Sequence, residues 1–403
     1  MKTPPLILLA PDRRRHGDEI CDLCGKVFSG GGTYYYGFRD FCRRGYILGS
    51  HYDWAASRIG LVGDRIVTHY GVWDYPMRIG AARVRVGGIG AVATDGDFRK
   101  RGLMARTARA SIDAMAGLGY DLSILFGIED FYHRFGYIRA WSDTTWTVRP
   151  ADLPKERPAG RLRKFAPVHR DDVAAIYNRE NATRTGTAVK PTYPRCMYLR
   201  PMEGRLWTDS RGRTAGYVVF LRKPGLIECV EVGGDLDQVL RVLAALARQG
   251  GCQDVQFSTF SDASPLIRRL RQGSGKAETR HLRSGGAMVL TVNLAATLGK
   301  MAPELTRRLR ASLLAGWKGR LLVADGRQEA MLVIDRSRVR VEPGARAAHA
   351  IRGGDEIAQL LIGADDPDAI FEARGTRLTG DARRLAGVLF PNQHPQLSLR
   401  DRF

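Results

Sequence analysis

The chain has 403 residues, of which 44% are apolar and 26% charged, a mix that excludes a disordered, collagenous or low-complexity protein. Its length exceeds what one hydrophobic core usually serves, so two or three domains are expected. The net charge of +21 admits an anionic partner but specifies none, and six cysteines in a chain this long make no disulfide framework, so a reducing, cytoplasmic compartment is expected.

Near the start, Leu6 to Leu9 lies between prolines, is too short to span a bilayer and reads as the first strand; no membrane partner is expected. From Asp18 to Phe28, Ile20, Cys21, Cys24, Val27 and Phe28 fall on one face of an amphipathic helix. Cys21-x-x-Cys24 invites a zinc reading with His16 and Cys42 as companions. No second such pair completes a tetrahedral set, so the cysteines are read as small core residues and no metal is expected. Tyr34, Tyr35, Tyr36 and Phe38 follow on a glycine-rich segment, either as walls of a substrate groove or as core. Arg58 to Val62 and Ile66 to Val72 read as a hairpin about Gly63-Asp64.

The most informative stretch runs from Val84 to Tyr137: strand, basic glycine-containing loop, helix, strand and aromatic turn. After the strand Val84 to Thr94 come Arg99, Lys100, Arg101 and Gly102. Ala105, Ala108, Ile112 and Met115 then recur at helical spacing until Gly117 and Gly119 mark a stop. A helix starting near Gly102 aims its free backbone N–H groups at the loop, where its dipole and three cations favour an anion. Gly102 lets backbone approach that ligand without a Cβ in the way. Leu122 to Phe126 reads as a buried strand parallel to the first, and Glu129-Asp-Phe-Tyr-His-Arg-Phe-Gly-Tyr137 follows it.

At this point the chain resembles the GCN5-related N-acetyltransferases (GNAT), whose phosphate loop has the form Arg/Gln-x-x-Gly-x-Gly/Ala; here it is Arg99-x-x-Gly102-x-Met104, without the last small residue. Arg101-Gly-Leu103 followed by Tyr132-His-Arg-Phe-Gly-Tyr137 resembles more narrowly the Eis (enhanced intracellular survival) branch. The resemblance implies acetyl-CoA as co-substrate, held by Val92, Ala93, Thr94, Arg99, Lys100, Arg101, Gly102, Leu103, Met104, Ala105, Gly127 and Ile128. Acetyl transfer from a thioester to an amine needs a neutral amine, a stabilised oxyanion and a proton for the departing thiolate. Backbone N–H groups along Val92, Ala93 and Thr94 are expected to hold the thioester oxygen. Tyr132, a phenol protonated at neutral pH, is expected to donate to the sulfur. His133 is its rival, expected to point elsewhere if Tyr132 faces the site.

Thr144 to Val148 closes the first unit, and Pro150, Pro154 and Pro158 suggest a linker. The middle third repeats the plan: strands at Thr214 to Leu221 and Leu226 to Val232, a helix from Leu236 to Arg248, a strand at Val255 to Phe257. Where the first copy has its basic loop, the second has Gly233-Gly-Asp-Leu-Asp237, whose carboxylates would cap a helix and repel a pyrophosphate. The last part, a helical stretch from Leu294 to Leu314, strands at 319–326, 329–334 and 339–342, then helices at 355–361, 368–372 and 381–389, resembles a sterol-carrier-protein-2-like (SCP2-like) domain, as in the Eis family. The expected fold is thus mixed α/β or α+β: tandem GNAT-like domains at 1–150 and 151–285, then an SCP2-like domain at 286–403.

The tail, Phe390 to Phe403, holds two prolines, two leucines and a final aromatic residue, a composition suited to docking. The Eis resemblance implies that Phe403 enters the acceptor site with its α-carboxylate as general base; Arg402 would lower that basicity if it pointed inward. Glu129, Asp130 or a water relay are the alternatives. The implied acceptor is a primary amine of aminoglycoside, polyamine or lysine type, and the family implies a homo-oligomer, often a hexamer. A competing class, an anionic-ligand or nucleic-acid-binding protein, draws on Arg13 to Arg15, Arg268 to Arg271 and Arg307 to Arg310, but these are scattered and carry no nucleic-acid motif. Lipid carriage by the C-terminal unit would require an apolar cavity.

Overall fold

In the computed structural model, which describes residues 5–28, 35–190 and 202–403, strand β1 (Leu6–Leu9) forms an edge and is followed by helix α1 (Arg13–Phe28). α1 turns Ile20, Cys21, Leu23 and Cys24 into the core, and burial pushes the Cys21 thiol up to about 12, as expected of small core residues. Among the described residues no group of three His, Cys, Asp or Glu side chains is arranged to hold a metal ion. α2 (Tyr35–Phe41) runs into a single π-helical turn, Cys42–Tyr46. β2 (Arg58–Val62), β3 (Arg65–Ile79) and β4 (Ala82–Thr94) then form an antiparallel meander. β3 outruns the expected strand by seven residues because Asp74 and Pro76 interrupt its apolar pattern, while its backbone stays paired with β4 to Ile79. α3 (Leu103–Gly117) crosses over to β5 (Leu122–Gly127), parallel to β4, and β6 (Ile138–Arg139) follows.

The next strand corrects the boundary expected at residue 150. β7 (Asp143–Val148) belongs to the second sheet, with β8 (Arg163–Lys164), α4 (Arg170–Glu180), β9 (Glu203–Thr208), β10 (Thr214–Lys223), β11 (Leu226–Gly233), α5 (Leu236–Gln249), β12 (Asp254–Ser258), α6 (Pro265–Leu270) and β13 (Lys276–Arg280). Its strand order is β13-β7-β12-β11-β10-β9-β8. β14 (Gly286–Thr291) returns to the first sheet, between β5 and β6, correcting the boundary expected at 285. The two units thus exchange strands, which the sequence does not show because a strand's alternation sets the face it buries and not the distant strand it pairs with.

α7 (Leu294–Arg310) leads to the third sheet: β15 (Gly319–Ala324), β16 (Glu329–Asp335), β17 (Arg338–Glu342) and β18 (His349–Arg352), then α8 (Glu356–Ile362), α9 (Pro367–Arg374), β19 (Arg377–Thr379) and α10 (Ala382–Leu389). Asn293 caps α7 by accepting from the Ala296 N–H. Asp355 and Asp381 stand at the N-caps of α8 and α10, but their side chains are engaged elsewhere, Asp355 with Arg327 and Asp381 with the Trp317 indole. One apolar cluster runs from Ile20 through Val84 and Val86 to Leu298, Met301 and Leu321, so the first and third sheets share a core, whereas Val218, Phe220, Val242 and Leu243 centre a separate core in the second.

Candidate active site

β4 and β5 are hydrogen-bonded from Val86–Leu122 only as far as Ile89–Leu125. Beyond that point β4 stays on β3, with Thr68 opposite Thr94 and His69 opposite Ala93, while β5 stays on β14. The strands therefore part, and Ala91, held at φ 47° with its carbonyl against His69 Nδ1, marks the bulge where they do. The Asp95 N–H reaches the Val67 carbonyl. By the two-residue alternation of a strand, the Ala93 N–H points the same way and those of Val92 and Thr94 point into the gap. Val92 and Thr94 line the cleft that opens there, of about 870 Å³; Ala93, buried in the core cluster that holds Ile20, Cys21 and Cys24 of α1, does not. The expectation of three N–H groups there is thus corrected to two.

The floor of the cleft is the loop before α3. Lys100 and Gly102 both take left-handed backbone conformations, φ 60° and 72°, and Gly102 is the N-cap of α3 with no side chain satisfying the free N–H groups. A Cβ at Gly102 would meet nothing within 4 Å, so the constraint there is the backbone angle, and the space over it is open to a ligand. Arg99, Lys100 and Arg101 line the cleft and, among the described residues, none forms an ion pair with a carboxylate; Arg99 reaches the Thr94 carbonyl and Arg101 lies over Phe98. Leu103, Met104 and Ala105 on the first turn of α3, and Gly127 and Ile128 at the end of β5, complete the set. Arg109 and Arg134 add two cations that the sequence reading passed over. A helix N-terminus with unpaired cations and an apolar wall suits the pyrophosphate and pantetheine of acetyl-CoA.

Tyr132 opens a short 3₁₀ turn and packs its ring where Gly127 has no Cβ. Burial pushes its phenol up to about 12, and it lines the cleft. His133 is exposed and lines a separate hollow with Asp130 and Arg283. Asp130 is tied to Ser284 and Glu129 packs against Gly285, so neither carboxylate is brought to the cleft.

Phe403 is. A Cβ at Gly88 would collide with its ring, and one at Gly90 would stand 3.0 Å from its backbone carbonyl carbon, so two glycines of β4 make room for Phe403. Its ring packs at 5.1 Å from Tyr75 and 5.8 Å from Phe126. Arg402 turns away: its guanidinium bonds Asp143 at 2.7 Å and covers Phe126 at 4.1 Å. Tyr46, which the sequence reading did not single out, lines the cleft over Gly90, stacked on Trp73 at 4.6 Å. The glycines inside an otherwise apolar strand were the available signal of close approach. Of the aromatic segment, Tyr34 lies outside the described residues, Tyr36 is exposed and Phe38 stacks on Phe28 at 5.1 Å.

In the second unit the corresponding helix N-terminus is already filled. Asp235 accepts from the Gln238 N–H and Glu180 from the Gly234 N–H, both at 2.8 Å. Carboxylates occupy the place an anion would need.

Residues 18–140 match the family model of the acetyltransferase (GNAT) domain. The chain carries a GNAT domain. An uncharacterized N-acetyltransferase of Streptomyces coelicolor is 32% identical over 143 residues, 34% of this chain and 35% of that protein, so the chain matches about a third of that relative's length. Solved structures similar over nearly the whole chain include two crystal structures. One is a conserved protein of unknown function from Enterococcus faecalis, described as a probable N-acyltransferase, with TM-score 0.77 and 18% identity over 99% of this chain and 100% of that one. The other is Eis1 from Mycobacterium abscessus, with TM-score 0.69 and 14% identity over the same shares. At these identities the likeness is one of fold, and it extends beyond the GNAT domain to the second and third sheets.

Proposed function

We propose that the protein is an N-acetyltransferase of the Eis type, moving acetyl directly from acetyl-CoA to a primary amine of an aminoglycoside, polyamine or lysine-type acceptor in a ternary complex. One observation carries this reading: a single cleft holds a helix N-terminus with unpaired cations, a half-buried tyrosine and Phe403. Acetyl-CoA supplies the thioester. The Val92 and Thr94 N–H groups stabilise the oxyanion as the amine attacks, Tyr132 protonates the leaving thiolate, and the Phe403 carboxylate takes the amine's proton, directly or through water. The C-terminal unit is read as SCP2-like and as completing this site, and the working form as a cytoplasmic homo-oligomer.

Calorimetry of acetyl-CoA binding, comparing the wild type with Arg99→Ala/Gly102→Glu, tests the coenzyme site in a preparation with its native C-terminus. Specific binding lost in the double variant supports the reading and justifies an amine screen. A wild type that binds no acetyl-CoA sinks it.

A further inference from the structure

The C-terminal tail is held at the cleft by the second unit. The Lys190 ammonium, whose side chain is 1% exposed, lies 2.7 Å from Glu231 of β11 and 3.3 Å from Asp401, and sits over the Tyr177 ring of α4 at 3.7 Å. Tyr177 donates to Asp401 Oδ2 at 3.2 Å, and Tyr217 of β10 donates to Glu231 at 3.1 Å. The Asp401 carbonyl accepts from Tyr75 of β3, and Ser398 donates to the Val230 carbonyl at 3.3 Å. Arg402 ties to Asp143, on β7 of the same second sheet. Phe403 is two residues beyond Asp401.

We infer that Lys190 is a positioning residue for acetyl transfer, and that the second unit serves the reaction by clamping the tail so that the Phe403 carboxyl is fixed over Gly90. Chain termini fray unless tied down, and an exposed ion pair is too weakly directional to hold one. A buried charge tolerates no such laxity: the Asp401 carboxylate, 1% exposed in the docked tail, can leave water only where the Lys190 ammonium and the Tyr177 hydroxyl offset its desolvation, so those partners fix the docked position. This gives a use to a GNAT-like unit whose own helix N-terminus is filled by Glu180 and Asp235. The inference rests on the acetyl-transfer reading for its kinetic consequence, but the clamp itself is independent of it.

The test uses the full chain with its native C-terminus and two variants, Lys190→Met and Asp401→Asn. The second keeps the Lys190–Glu231 pair, so it remains informative if the first fails to fold. Three readouts are taken: release of Phe403 by carboxypeptidase, acetyl-CoA affinity by calorimetry, and kcat with whichever of spermidine, kanamycin and a lysine peptide the wild type turns over fastest. Carboxypeptidase is expected to release Phe403 about tenfold faster or more, because cleavage tracks the population of the open tail. kcat is expected to fall roughly a hundredfold, the scale set by a reacting group displaced by about 1 Å, with acetyl-CoA affinity unchanged. Lys190→Arg should recover part of the loss. A tail as resistant as the wild type's, or one released with kcat intact, overturns the inference. A wild type that turns over none of the three amines sinks the acetyl-transfer reading instead, and tail release still decides the clamp.

Discussion

In the proposed reaction Tyr132 acts as a donor and not as a base, and the reason is local. Burial favours the neutral phenol, pushing it up to about 12, so at neutral pH the hydroxyl holds its proton. Replacing Tyr132 by Phe keeps the ring packed over Gly127 and removes only the hydroxyl. The expected result is a fall in kcat of about 10²–10⁴-fold, the usual worth of a positioned general acid, with acetyl-CoA affinity preserved. The pH profile adds a check. Loss of the acid would appear as a falling alkaline limb, and with the phenol raised above its reference value of about 10 none should appear below about pH 10, while the rate rises as the acceptor amine loses its proton. A falling limb near pH 8 that vanishes in Tyr132→Phe would contradict the assignment.

The loop and helix proposed to hold the coenzyme are short-range structures, and their test is correspondingly local. At Gly102, φ 72° is open to glycine and costly for other residues, roughly 1–2 kcal/mol. Gly102→Ala should therefore weaken acetyl-CoA binding modestly and Gly102→Glu much more, because the second also brings a carboxylate to the helix N-terminus; equal affinities in calorimetry would show that the loop is not the site. The same locality explains what could be read beforehand. α3 announces itself by apolar residues at helical spacing and by Gly102 at its start, and the parallel pair β4–β5 by two apolar runs flanking it. The exchange of β7 and β14 between sheets was not legible, since Asp143–Val148 carries no sign of whether it pairs with β6 or with β12. Ala93 was misplaced for a related reason: the sequence locates the strand, but which N–H groups face the gap depends on the register against β3. The glycines at 88 and 90 were visible and could have been read as room for the tail, but nothing local says that the neighbour is Phe403, more than 300 residues away.

Across the whole molecule, the first and third sheets stand or fall together, and Glu304 is the polar joint between them. Its carboxylate is 1% exposed, sits beneath the Gly80 turn that joins β3 to β4, and accepts from Arg307 and Arg308; Arg308 in turn donates to the Leu389 carbonyl and to Gln393 at the root of the tail. Two arginines that the sequence offered as phosphate contacts are thereby engaged within the protein. Glu304→Ala leaves Arg308 buried without its carboxylate and is expected to destabilise the joined sheets by about 3–5 kcal/mol, read as a lower urea midpoint. The pH dependence has a definite sign. Burial raises the Glu304 pKa, but the hydrogen bonds from Arg307 and Arg308 outweigh it and leave the carboxyl below its ordinary value. A group depressed in the folded state contributes stability that is present above its unfolded pKa and lost as pH falls through the folded one. Stability should therefore decline below about pH 4 more steeply in the wild type than in Glu304→Gln, since the reference carboxyl titrates near there. Identical acid limbs in the two proteins would mean that the joint is held by apolar packing alone, through Leu298, Met301 and Leu305 against β4, and that the charge network merely decorates it.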